Sequence, residues 1–179
     1  MSLQLHAHPF SSYCQKALIA LYENDTPFEF RLVNLGDGQS AADFAKIWPL
    51  KRMPALVDHD RVYREATIVI EYLDRAYPGR TRFIPDDFGA ALETRFMDRF
   101  FDNYVMAPMM AVVFDFIREA SQRDPFCVMQ AKALLDTSYA WLDETLSQRA
   151  WAAGGGKSGR RLRATPQRVE VMHRPVARA

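Results

Sequence analysis

The sequence predicts a mixed α/β unit over residues 1–79, then an all-helical region over residues 89–153, joined by a linker at 80–88. Three observations carry this. Short runs of strand character alternate with helical ones until about residue 79. From Ala90 the apolar spacing is helical throughout. From Gly154 to Ala179 neither pattern holds.

Leu3 to Ala7 is a short apolar run and reads as the first strand. Residues 11–24 read as the first helix, closed by Asn24-Asp25-Thr26-Pro27, because a proline disfavours helix in the residue before it. Phe28-Glu29-Phe30-Arg31-Leu32-Val33 begins by alternating and reads as the second strand. Ser40 is placed to cap a short helix over residues 41–47, with Asp43 three residues on. Met53 to Asp58, the acidic turn His59-Asp60, and Arg61 to Arg64 read as a hairpin. Pro54 is tolerated where the ladder begins. Glu65-Ala66-Thr67 opens a helix that Tyr77-Pro78-Gly79 stops. This order gives a three-layer unit with one parallel strand pair and an antiparallel hairpin.

The second region has one long helical pattern over residues 90–120, with a stripe of Leu92, Phe96, Phe100, Tyr104, Met110, Val113, Phe114 and Ile117. Pro108 should kink it. Asp124-Pro125 restarts a helix as N-cap and first residue. Its stripe is Val128, Ala131, Leu135, Tyr139, Leu142 and Leu146. The two helices are expected to pack antiparallel, with their aromatic and Met residues in the core.

Composition narrows the class. Of 179 residues, 49% are hydrophobic and 25% charged, which fits a water-soluble globular chain. A net charge of +1 argues against nucleic acid as a partner, but it hides an asymmetry. Residues 157–179 hold seven Lys/Arg and one Glu, while the remainder holds 16 basic and 21 acidic residues. The two cysteines, Cys14 and Cys127, make no disulfide framework, so a reducing cytoplasm is expected. No signal peptide is expected, and no apolar run reaches the roughly 20 residues of a membrane span. No metal-ligand cluster and no membrane partner are expected.

Pro9-Phe10-Ser11-Ser12-Tyr13-Cys14-Gln15-Lys16 is a strand-to-helix turn and the most informative stretch. Ser11 or Ser12 stands where an N-cap belongs. The same helix end carries partial positive charge, which favours an anion such as a thiolate, and a serine hydroxyl can donate to that anion. Ser11 as a cap alone is the competing reading.

With Ser11-Ser12-Tyr13-Cys14, Met53-Pro54 opening a strand and Glu65-Ala66 opening the next helix, residues 1–152 resemble a soluble glutathione S-transferase. The resemblance implies a thioredoxin-like domain, with a mixed four-stranded sheet and helices on both faces, followed by an incomplete all-α domain. It implies glutathione as co-substrate, a hydrophobic electrophilic small molecule as second substrate, gripped mainly by the helical half, and a homodimer. Ser11, with Ser12 as runner-up, would stabilise the glutathione thiolate. Pro54 would be cis and present the Met53 backbone to the cysteinyl unit. Glu65 and Ala66 would receive the γ-glutamyl end, and Arg52 the glycine carboxylate. Two departures stand out. Ala66 replaces a hydroxyl residue, a loss of roughly 1.5–3 kcal/mol if that bond was charge-assisted. Cys14 sits where a resolving cysteine would be, and it reads as a buried core thiol.

The resemblance also implies further helices after Gly154. The Arg- and Ala-rich stretch found there reads as a disordered basic tail, and a reading-frame shift near Gly154 to Lys157 would explain it. If Arg161 to Ala164 is encoded CGA-CTG-CGC-GCG, the next frame reads Asp-Cys-Ala. With that layer foreign, apolar helix faces would be left exposed and prone to association. Two other functions stay open: a non-catalytic interaction module of the same architecture, and a glutaredoxin-like thiol reductase using Cys14, against which a serine at position 11 argues.

Overall fold

Two units divide the chain, Met1–Pro85 and Asp86–Ala179. The structure, a computed structural model, describes residues 3–149 and 151–153. The basic tail and the proposed frame shift at 154–179 lie outside the described residues.

The first unit is a four-stranded sheet with helices on both faces. Strands β1 (Gln4–Ala7), β2 (Glu29–Leu32), β3 (Ala55–Asp58) and β4 (Arg61–Arg64) lie in the order β2-β1-β3-β4. β1 and β2 are parallel, as the intervening helix α1 (Ser12–Glu23) requires, whereas β3 is antiparallel to both β1 and β4. Alternation along β1 sends Leu5 and Ala7 into the core shared with α1 and α3 (Ala66–Ala76), and leaves Gln4 and His6 half-buried. Leu5, Leu21, Leu56, Val69 and Leu73 are fully buried there, each contributing about 1.5–3 kcal/mol. On the other face, α2 (Gly38–Ile47) packs Phe44 and Ile47 against Val33, Ala55 and Val62.

Helix α2 begins earlier than the sequence pattern suggested. Asp37, not Ser40, is its N-cap, and its carboxylate accepts from the Ser40 amide at 2.7 Å. The Ser40 hydroxyl instead accepts from the Asn34 amide at 3.0 Å. Both residue types cap well, and the carboxylate adds a favourable charge at the helix start. Arg64 closes the other end of α2 by donating to the Ile47 carbonyl at 3.1 Å, with its guanidinium 4.8 Å from the centre of the Trp48 ring.

In the second unit, α4 (Phe88–Phe100), a π-helical stretch (Phe101–Met106) and α5 (Ala107–Ile117) form one continuous run. Pro108 does disturb it. Proline has no amide to bond the carbonyl four residues back, and just before it the ladder slips to five, Ala107 donating to Asp102. α6 (Pro125–Ser147) is capped by Asp124, whose carboxylate accepts from the Cys127 amide at 3.0 Å. It packs back along α5 and the π-helical stretch, and its far end meets α4 through Met97, Phe100 and Leu142.

The apolar stripe expected along the first long helix is mostly not core. Phe100 is buried, but Leu92, Phe96, Tyr104, Val113, Phe114 and Ile117 are exposed. The π-helical stretch shifts the phase of the face after it, and Ala91, Met97, Pro108 and Asp115 are the positions turned inward. On α6 the stripe holds at Ala131 and Leu142, whereas Ser138 takes the inward place expected of Tyr139. The run Phe88–Ile117 spans 30 residues with a most apolar window of mean hydropathy 1.3, so by length and composition alone it is sufficient to cross a membrane. That differs from the expectation based on uninterrupted apolar runs. Glu93, Arg95, Asp98, Arg99, Asp102 and Asp115 lie along it, and a bilayer core would penalise each of them.

Candidate active site

Strand register brings the sequence-predicted residues to one end of the sheet. β1 runs towards Ala7, and its His6 pairs with Ala55, the first residue of β3. Ala55 pairs in turn with Arg64, the last residue of β4. The segment after Ala7 leads to Ser11, the segment before Ala55 is Arg52-Met53-Pro54, and the segment after Arg64 is Glu65-Ala66. Three separate stretches therefore converge where the sheet ends and α1 and α3 begin.

Ser11 is the N-cap of α1, in extended conformation, and its hydroxyl oxygen accepts from the Cys14 amide at 3.4 Å. The cap reading of Ser11 is thus realised. It consumes one lone pair, and the hydroxyl proton, turned here to the Cys14 sulfur, can rotate to another acceptor. Ser12 and Tyr13 follow as half-buried residues of the first turn. Cys14 is fully buried. Burial pushes its thiol up from the ordinary value, and hydrogen bonds from the Ser11 hydroxyl and the His8 backbone only partly offset this. A thiol held neutral in the core is a poor nucleophile.

The Met53–Pro54 peptide bond is cis. Pro54 is buried, Met53 half-buried and Arg52 exposed. Glu65 caps α3 from the left-handed region, with φ of 68°, and makes no side-chain cap bond. Left-handed backbone is costly for a residue with a Cβ, and such residues cluster where a surrounding structure holds them for a purpose. Sequence reasoning missed this conformation, because nothing about a glutamate before a helix signals it. Ala66, at the first helical position, is buried and offers a backbone amide but no hydroxyl. A cleft of about 590 Å³ also exists in this unit, between β2 and α2. Its lining includes His6, Arg31, Asp43 and Phe44 but none of the candidate residues.

Residues 5–81 match the family model described as the glutathione S-transferase N-terminal domain. This stretch is a glutathione S-transferase N-terminal domain. Among curated glutathione transferases, human theta-1 is 38% identical over 91 residues, covering 50% of this chain and 38% of that protein. This chain thus spans less than half the length of the curated relatives it matches. Among solved structures, human glutathione transferase T1-1 in its apo form superimposes with a TM-score of 0.70 at 28% identity, covering 87% of this chain and 68% of that one. A glutathione transferase from Methylobacillus flagellatus with glutathione bound gives a TM-score of 0.80 at 23% identity, covering 88% and 76%. These superpositions extend the likeness in fold beyond the N-terminal domain into the helical region.

Proposed function

We propose that this glutathione transferase homologue binds glutathione at the end of the sheet and adds its thiolate to an electrophilic, hydrophobic small molecule. The observation that carries the reading is Ser11 at the head of α1, with a proton to donate and a positively polarised helix end behind it. Bound there, the glutathione sulfur accepts the Ser11 hydroxyl hydrogen bond, which favours the anion over the thiol. The thiolate then attacks the electrophilic carbon. The new C–S bond forms, and the electron pair of the broken bond departs with the leaving group or moves onto the conjugated system. Ser12 is the alternative donor.

Around that sulfur, the Met53 backbone pairs with the cysteinyl unit, Glu65 with the γ-glutamyl ammonium, the amide of Ala66 with the γ-glutamyl carboxylate, and Arg52 with the glycine carboxylate. The same reading makes the protein a cytoplasmic homodimer. Isothermal titration with reduced glutathione tests it: saturable heat that is weakened when Arg52 or Glu65 is replaced supports the site, and absence of heat removes it.

Ala66 favours a second reading, a non-catalytic interaction module, because one donor to the γ-glutamyl carboxylate is missing. Glutathione binding without conjugation of any of a panel of electrophiles would select that reading. The buried, neutral Cys14 weighs against a thiol reductase.

A further inference from the structure

Strand β2 is an edge of the sheet. It pairs with β1 on one side, and among the described residues no strand pairs with it on the other. The Glu29 amide donates to the Leu3 carbonyl at 2.7 Å, and the Val33 amide to the Ala7 carbonyl at 2.9 Å. These alternate positions therefore turn their backbone groups to β1. The amides and carbonyls of Phe30 and Leu32 point the other way, to the open edge. Both of those side chains are exposed, Leu32 at 62%. Register sets them on the sheet face that carries Leu5 and Ala7. Glu29 and Arg31 stand on the opposite face, where they pair at 2.9 Å.

Charge on an edge strand normally blocks pairing with another strand. Here the two charges are of opposite sign, and Phe30 lies midway between them. Consider a second β2 laid antiparallel along this edge, related by a two-fold axis at Phe30. The two Phe30 residues then exchange both backbone hydrogen bonds. Glu29 of each copy faces Arg31 of the other as a non-hydrogen-bonded pair, the closer class, with Cα atoms about 4.5 Å apart. Opposite charges directly across a ladder stabilise it, and like charges destabilise it. A slip to either neighbouring hydrogen-bonded register would set Glu29 against Glu29, or Arg31 against Arg31. The charges thus select one register rather than forbidding all of them. That register also places Leu32 beside Phe28 of the second copy, which continues the apolar row on the other face.

We propose that β2 is an interaction surface whose partner is β2 of a second copy of this chain, paired antiparallel about Phe30 so that one sheet runs through both copies. The pairing uses none of the candidate active-site residues, so it stands or falls apart from glutathione binding.

Charge exchange tests it, read by sedimentation of the full chain. The parent protein carries Phe116→Ser and Phe126→Ser, which removes the most exposed apolar side chains of α5 and α6 from the measurement. The parent is expected to dimerise as its concentration rises. Adding Glu29→Arg or Arg31→Glu should weaken dimerisation roughly tenfold in each case, because each variant alone meets like charges across the axis. An equimolar mixture of the two variants should dimerise again, since every pair across the axis is then of opposite sign. Amide hydrogen exchange supplies a readout that needs neither charge variant and decides if one of them fails to fold. The Phe30 and Leu32 amides of the parent should exchange more slowly as concentration rises. A parent that stays monomeric, dimerisation unchanged in both charge variants, a mixture that stays monomeric, or exchange at Phe30 and Leu32 that ignores concentration would overturn the proposal.

Discussion

Ser11 and Cys14 are joined by a hydrogen bond in which the Cys14 amide donates to the Ser11 hydroxyl oxygen at 3.4 Å. The bond is long, and it fixes the oxygen while its proton can rotate from the Cys14 sulfur to another acceptor. Replacing Ser11 with Ala removes a cap and the proposed donor together. We expect a stability loss of about 0.5–2 kcal/mol. Conjugation should fall roughly tenfold to a hundredfold, the equivalent of a charge-assisted bond of about 1.5–3 kcal/mol. Steady-state kinetics beside chemical unfolding separates the two effects. Ser12→Ala serves as the control, and a loss confined to it would transfer the role to Ser12.

Gly79 is tightly enclosed. Its backbone does not need a left-handed conformation, so the restriction is space alone. Gly79→Ala must push the Asn24 side chain away and loosen its grip on Thr81. Overpacking of this kind costs about 1–3 kcal/mol. A thermal melt of the variant reads the cost, and an unchanged midpoint would mean that Asn24 yields without penalty.

Asp58 predicts a pH dependence. It is buried, and it accepts hydrogen bonds from the Tyr72 hydroxyl at 2.5 Å and the Tyr77 hydroxyl at 2.6 Å, with His59 Nδ1 at 2.7 Å. Burial pushes its carboxyl up, but these partners together outweigh burial and hold it below the ordinary carboxylate value. A depressed folded-state value gives a contribution that is complete above the unfolded value, about 3.9, and is lost as pH falls through the folded one. Urea midpoints at pH 6 and pH 3 are expected to differ more for the wild type than for Asp58→Asn. The variant should also lose about 1–3 kcal/mol at neutral pH through unmet donors. Parallel falls in both proteins would assign the acid sensitivity to other groups.

The second unit leaves large apolar side chains in water. Phe116 is 73% exposed and Phe126 63% exposed, at the end of α5 and the start of α6. A patch of this kind drives association. Sedimentation of the 20.6 kDa chain should show species heavier than a monomer, increasing with concentration. Phe116→Ser with Phe126→Ser should shift the population towards monomer. A wild type that stays monomeric and melts cooperatively at every concentration would refute this.

The first unit was legible in the sequence because its signals are local. Alternation in β1, the Pro27 stop, the hairpin at His59-Asp60 and the Tyr77-Pro78-Gly79 stop each act within a few residues, and the structure has elements at all of them. The candidate residues were legible through a resemblance, and the cis bond before Pro54 is present. The left-handed Glu65 was not legible, since its conformation depends on what β4 and α3 require rather than on glutamate itself. The core of the second unit was misread on α4 because the large residues Leu92 and Phe96 were placed inward where Ala91 and Met97 are, and beyond it because the π-helical stretch shifts the helical period. The grips of Asn24 on the Thr81 amide and of Asp74 on the Phe83 amide were missed because they join residues 57 and nine positions apart, beyond any local pattern.

The loosened turn ahead of Pro108 has a consequence for how this region tolerates change in length. A residue of α-helix turns the chain by about 100°. The wide turn absorbs about one residue more than an ordinary turn, so deleting one residue between Phe101 and Met106 would let it rewind while everything downstream keeps its direction. Asp115, whose carboxylate now accepts from the Asp124 amide at 2.7 Å, would keep its station beside the start of α6. The same deletion in an ordinary stretch of α4 or α5 has no such slack, and would swing the following helix by about that angle and force the corner between these helices to be rebuilt.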